Sequence, residues 1–141
     1  MAGAEQFLID KSAHARILRP VCRGQWADVL LSGRVSLCAP SEVEILYSAR
    51  SVEDYGRIKR LLADVYGWVA VPDSAWQRLL SIQERLVKNG QHRSAGIPDL
   101  LVAVTALHHG LTVLHYDRDF ETIAKHTELK TRWLAEPGSL D

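Results

Sequence analysis

The feature that most constrains this chain is an alternation. Four short runs, "QFLI" (6–9), "VSLCA" (35–39), "WVAV" (68–71) and "LTVLHY" (111–116), are near-continuously apolar or β-branched, and longer stretches of helical periodicity separate them. Strands buried on both faces read this way. Alternation with helices requires crossover connections, and so a parallel central sheet covered by helices on both faces. The predicted fold class is α/β with four to five strands, "KTRWL" (130–134) being the candidate fifth at an edge. A chain of 141 residues accommodates one such domain, 1–141, with a substantial core, and leaves no room for two comfortable ones.

Helix boundaries are legible from punctuation. Ser41 follows Pro40 and is expected to open "SEVEILYSAR"; Asp73 follows Pro72 and is expected to open a helix that Gly90 ends. Pro98 suits the first turn of the next helix, and Gly110 its end. Within "DSAWQRLLSIQERLVKNG", Trp76, Leu79, Leu80, Leu86 and Val87 recur at helical spacing, as do Leu61, Leu62 and Val65 one helix earlier. Such stripes are core or subunit contact rather than a cofactor box. Only the tail "EPGSLD" reads as loose.

Seventeen basic residues balance seventeen acidic ones, so no overall positive field announces a nucleic-acid partner. Local patches or bound cations would have to supply that attraction. Cys22 and Cys38 show neither CxxC nor Cys/His spacing, which argues against a disulfide framework or a zinc site. No apolar run reaches the ~18 residues of a membrane span, and no secretory leader is recognisable, so a cytoplasmic protein without a membrane partner is expected.

The acids carry the functional argument. In an open parallel sheet, ligands bind in the crevice beyond the carboxyl ends of the strands. Asp10 directly follows the first predicted strand, Glu44 lies about one helical turn after the second, and Asp117 and Asp119 follow the fourth. Asp99 heads the helix before that fourth strand, and connectivity decides whether it faces the same crevice. Each has a structural explanation when taken alone. Asp10 or Ser12 can cap the first helix, Ser41 and Glu44 have capping-box spacing, Asp99 suits a helix dipole, and Asp117 or Asp119 can cap the last helix. Independent caps have no reason to lie on one side of a sheet, however. Converging carboxylates repel one another and favour a divalent cation with hard oxygen ligands, Mg²⁺ or Mn²⁺. Such a centre suits phosphodiester chemistry, where a pair of cations about 3.5–4 Å apart can serve both attacking and leaving oxygens.

Strand-Asp10-x-Ser12, Glu44 in "SEVEILYSAR", Asp99 in "GIPDLLVAVTALHHG" and Asp117 and Asp119 in "LTVLHYDRDF" together resemble the PIN-domain nucleases, and more narrowly the VapC toxins of type II toxin–antitoxin systems. The resemblance spans about residues 6–134. It implies a Mg²⁺- or Mn²⁺-dependent endoribonuclease, a homodimer, silenced by a cognate VapB-type antitoxin whose C-terminal segment wraps the toxin. By position it implies Asp10, Glu44, Asp99 and Asp117 as the catalytic, metal-binding set. Asp119 is a fifth ligand or an alternative to Asp117, and Ser12 supports the site. Glu42, about 160° from Glu44 around the helix, is assigned to the helix dipole instead.

Arg50 and Arg93 adjoin the acidic segments and are the preferred RNA phosphate contacts. His108 and His109 suit a helix C-terminus, and His115, in the last core strand, suits a core or hydrogen-bonding role. Two other readings are weighed. A phosphoacceptor receiver domain would want a lysine after a late strand, and none follows "LTVLHY". A catalytically weak module that holds an antitoxin differs from the enzyme by the absence of chelator-sensitive cleavage.

Overall fold

The computed structural model describes residues 4–141. Five strands, β1 (Phe7–Ile9), β2 (Val35–Leu37), β3 (Gly67–Trp68), β4 (Thr112–His115) and β5 (Thr131–Trp133), form one sheet in the order β3-β2-β1-β4-β5. Every neighbouring pair is parallel, with Ile9 opposite Leu114 and Leu8 opposite Ser36 at the centre. The helices are α1 (Lys11–Ile17), α2 (Pro20–Leu31), α3 (Ala39–Leu46), α4 (Val52–Val65), α5 (Ala75–Lys88), α6 (Ile97–His109) and α7 (Arg118–Lys125).

The two-residue period of the strands divides the core. Phe7 and Ile9 face a layer containing Ile17, Trp26, Ile45 and Leu62, whereas Leu8 and Val113 face Leu79, Leu86, Val102, Val104 and Phe120. Helices α1, α2 and α4 therefore cover one face and α5, α6 and α7 the other. Trp26 crosses the first layer, meeting Phe7 edge-on and donating its indole N–H to Leu134 O at 2.8 Å. Cys22 and Cys38 are buried free thiols.

The structure departs from the sequence expectations in four places. Helix α3 begins at Ala39, ahead of Ser41, because Pro40 brings a helix-ready φ to the first turn. Ser41 is thus inside the helix, fully buried with its Oγ unpartnered, and no Ser41–Glu44 capping box forms. Helix α5 likewise starts at Ala75, after a turn in which Ala75 N donates to Pro72 O. The "WVAV" run is pleated only at Gly67–Trp68 and forms an exposed edge, while Val69 and Val71 pack onto the core from outside the strand. The tail is tied down: Leu140 N donates to Tyr116 Oη at 2.6 Å, and Leu140 packs on the α1–α2 layer. Pro98 and Gly110 bound α6 as expected, Gly110 adopting φ +68°.

Candidate active site

The strand order reverses between β1 and β4. The chain builds outward from β1 through β2 to β3, then returns to the far side of β1 for β4 and β5. The crevice beyond the carboxyl ends of β1 and β4 is therefore the topological switch point, where open α/β sheets bind ligands. Connectivity also places Asp99. Helix α6 feeds the start of β4, so it runs antiparallel to the strands and its N-terminal turn, carrying Asp99, stands at the carboxyl edge.

Asp10 is 3% exposed and caps α1, its Oδ2 accepting from Ser12 N at 3.0 Å and from Ser12 Oγ at 2.8 Å. Ser12 Oγ in turn accepts from Tyr116 N at 2.8 Å, and Asp10 N donates to Leu114 O at 2.9 Å. One hydroxyl thus joins the ends of β1 and β4 while fixing the Asp10 carboxylate. The other oxygen, Asp10 Oδ1, is buried with no protein partner. A buried carboxylate oxygen without a donor is costly unless something positive occupies the space before it.

Asp99, Asp117 and Asp119 each bring a carboxylate oxygen to within 4.8 Å of the others. Asp117 caps α7, its Oδ1 accepting from Asp119 N at 3.0 Å. Burial, and then the negative charges of Asp10, Asp117, Asp119 and Glu44, raise the Asp99 carboxyl from 3.8 to about 7. Glu44 is raised by burial and by Asp10, against Lys11; Asp119 is raised by burial and by Asp117. Asp99 therefore lies in the field of the four other acids, which come from the N-cap of α1, from α3 and from the start of α7.

His115 and Glu121 complete the support. His115 is fully buried, its ring packed between Trp133 and Phe120. Its Nδ1 accepts from Asp117 N at 3.1 Å, so the proton belongs on Nε2, which donates to Glu121 Oε2 at 2.7 Å. Burial lowers the His115 pKa despite the nearby acids, consistent with this neutral tautomer. Sequence reasoning gave His115 a hydrogen-bonding role but missed Glu121.

The two arginines are not drawn into this cluster. Arg50 borders an open recess with Leu46, Val52 and Tyr55, its backbone N–H donating to Asp54. Arg93 is exposed on the loop between α5 and α6. Glu42 lies in the first turn of α3, as expected for a dipole partner.

The PIN domain model matches residues 7–126, which contain all five acids. Ribonuclease VapC21 of Mycobacterium tuberculosis H37Rv is 40% identical over 134 residues, covering 95% of this chain and 97% of the relative. The chain belongs to the VapC ribonucleases of the PIN-domain family. Another VapC relative, Ribonuclease VapC51 of the same organism, is 34% identical over 138 residues, covering 98% of this chain and 99% of the relative. The fold of this VapC-family chain is shared with the DNA-bound VapBC of Salmonella typhimurium, at TM-score 0.76 and 16% identity over 94% of this chain and 100% of that one.

Proposed function

We propose that this chain acts as a single PIN domain, the toxin of a type II toxin–antitoxin pair, and hydrolyses RNA phosphodiester bonds as a Mg²⁺- or Mn²⁺-dependent endoribonuclease. The observation that carries this reading is the unpartnered Asp10 Oδ1, whose carboxylate acts on the cluster that Asp99 at the head of α6 forms with Asp117 and Asp119 at the start of α7. The donor set is all oxygen, which suits Mg²⁺ or Mn²⁺. Asp10, Asp99 and Asp117 would hold the cation, with Glu44 and Asp119 completing its surroundings. When bound, such a cation supplies Lewis acidity at a phosphate oxygen and an activated water.

The chain's own residues prepare this centre. Ser12 holds Asp10 Oδ2, leaving Oδ1 free, and His115 holds the backbone of Asp117. Asp99, raised to about 7, keeps its proton to near neutral pH in the cation-free protein and gives it up when positive charge arrives.

Two surfaces support the proposed partners. A cleft of about 600 Å³ between α1, α2 and α4, walled by Ile17, Leu18, Ala27, Leu30, Leu31 and Val65, offers an apolar seat of the kind an amphipathic antitoxin segment fills. The exposed side of α5 shows Trp76, Leu80 and Val87, a stripe flanking the buried face of Ala75, Leu79, Ile82 and Leu86, and suits a homodimer contact. No helix among the described residues is long and apolar enough to cross a membrane, in keeping with a proposed cytoplasmic location.

The deciding experiment incubates partner-free protein with tRNA, rRNA fragments and mRNA in Mg²⁺, Mn²⁺ or EDTA, with Asp10→Ala alongside. Discrete cuts that require metal and disappear in a folded Asp10→Ala protein are expected. Cleavage at the wild-type rate by that variant would overturn the assignment.

A further inference from the structure

A second cleft, of about 380 Å³, lies between the end of α5 and the outer face of α7, and every side chain lining it is polar. Arg118, Glu121, Thr122 and Lys125 form one wall, since at 100° per residue these positions fall within a stripe about 100° wide. Asn89 and Gln91 stand opposite, from the end of α5 and the loop after it. The wall starts at the acids, because Arg118 separates Asp117 from Asp119 in the chain. Glu121 is committed to His115. Among the described residues neither Arg118 nor Lys125 forms a salt bridge, so both positive charges are free to take an anion. Asn89 Nδ2 donates to Arg85 O, leaving its Oδ1 as an acceptor, and the Gln91 amide makes no side-chain hydrogen bond among the described residues.

Free cations and amides around a hole of nucleotide size, whose Arg118 is the chain neighbour of both Asp117 and Asp119, match a phosphate with a hydrogen-bonding base edge. A protein helix would want apolar anchors, which this cleft lacks. We propose that the cleft is a subsite for one nucleotide of single-stranded RNA next to the scissile bond, its phosphate on Arg118 and Lys125 and its base edge against Gln91 and Asn89. This inference rests on the RNA-cleaving reading above. Single-stranded RNA is required because only an unpaired base exposes that edge.

The test titrates a fluorescein-labelled mixed-sequence 12-nucleotide RNA by anisotropy, in Ca²⁺ and at a series of NaCl concentrations, with calorimetric Mn²⁺ affinity as a control. Lys125→Ala should flatten the log–log salt dependence by about 0.7, which corresponds to about fivefold weaker binding at 0.1 M salt relative to 1 M. Lys125→Glu should weaken binding further. The Asn89→Ala/Gln91→Ala double variant should keep the salt slope and change the ranking of A-, C-, G- and U-rich oligonucleotides. Mn²⁺ affinity should be unchanged in all three. Wild-type RNA affinity and slope in Lys125→Glu would overturn the subsite, as would a Lys125→Glu defect confined to capture of the co-expressed antitoxin. Wild-type protein that binds neither Mn²⁺ nor RNA would instead overturn the underlying functional reading.

Discussion

Removing the charge of Asp99 should stabilise the cation-free protein, and only above a defined pH. The Asp99 carboxyl titrates at about 7 in the folded chain against 3.8 as the reference. Between those values the native state holds a proton that the unfolded chain has released, so stability falls as pH rises through this window. At about 1.4 kcal/mol per pH unit the full cost above pH 7 is ~4 kcal/mol. Partial solvation of the carboxylate halves this to ~2 kcal/mol, the usual discount for screened charge. Losing a carboxylate from the first turn of α6 returns ~0.5 kcal/mol of dipole stabilisation. Asp99→Asn should therefore be more stable than wild type by about 1–2 kcal/mol at pH 8 in EDTA, and equal to it near pH 4. Urea denaturation followed by circular dichroism measures both. Saturating Mn²⁺ should reverse the order, since wild type gains from ligand linkage and the variant loses that gain. A variant less stable than wild type at pH 8 without metal, or a difference independent of pH, would refute the claim that Asp99 is held in a repulsive cluster.

Three further outcomes are expected. Ser12→Ala leaves Tyr116 N–H without its acceptor and should cost about 1–3 kcal/mol by urea denaturation, whereas a loss below ~0.5 kcal/mol would mean that the β1–β4 bridge is replaced by water. His115→Leu should weaken Mn²⁺ binding by about tenfold or more, and His115→Asn should recover part of it by restoring an acceptor for Asp117 N; equal losses would reduce His115 to packing. Charge reversal at Arg50 and Arg93 together should weaken RNA binding without changing Mn²⁺ affinity, with Arg93→Glu contributing more because its loop carries Gln91. Unchanged RNA affinity in the double variant would remove both arginines from the interface.

The legible part of the sequence was whatever a local pattern encodes. Continuous apolar runs marked β1, β2 and β4, because a strand covered on both faces has no polar side to alternate with. Pro98 and Gly110 marked α6, because each fits a helix end through its own backbone geometry. Local pattern misled where two signals competed. Pro40 and Ser41 both propose a helix start, and the proline prevails by entering the first turn itself. Val69 and Val71 look like strand residues, yet they lie beyond the short edge strand β3 and pack onto the core from the loop. The acids were readable as a set, but their assembly depends on the antiparallel run of α6, which only the strand order supplies. The His115–Glu121 pair was hidden because a buried histidine in an apolar strand announces no partner.

The fold can sustain such a repulsive cluster because the same elements bury apolar surface directly behind it. Helix α6 presents Asp99 half-buried in its first turn, while Leu100, Val102 and Val104 are at most 2% exposed. Fully burying each contributes about 1.5–3 kcal/mol, or ~5–9 kcal/mol together, as an upper estimate against an extended chain. That exceeds the ~2 kcal/mol charged to Asp99. On the opposite side of the crevice, Asp117 follows a β4 strand that is buried throughout and is held by His115, itself enclosed by Trp133 and Phe120. Apolar residues at the feet of α6 and β4 therefore hold the carboxylates at a separation they would not choose in water. This tension is what a divalent cation relieves, and it makes cation binding and stability two readings of one arrangement.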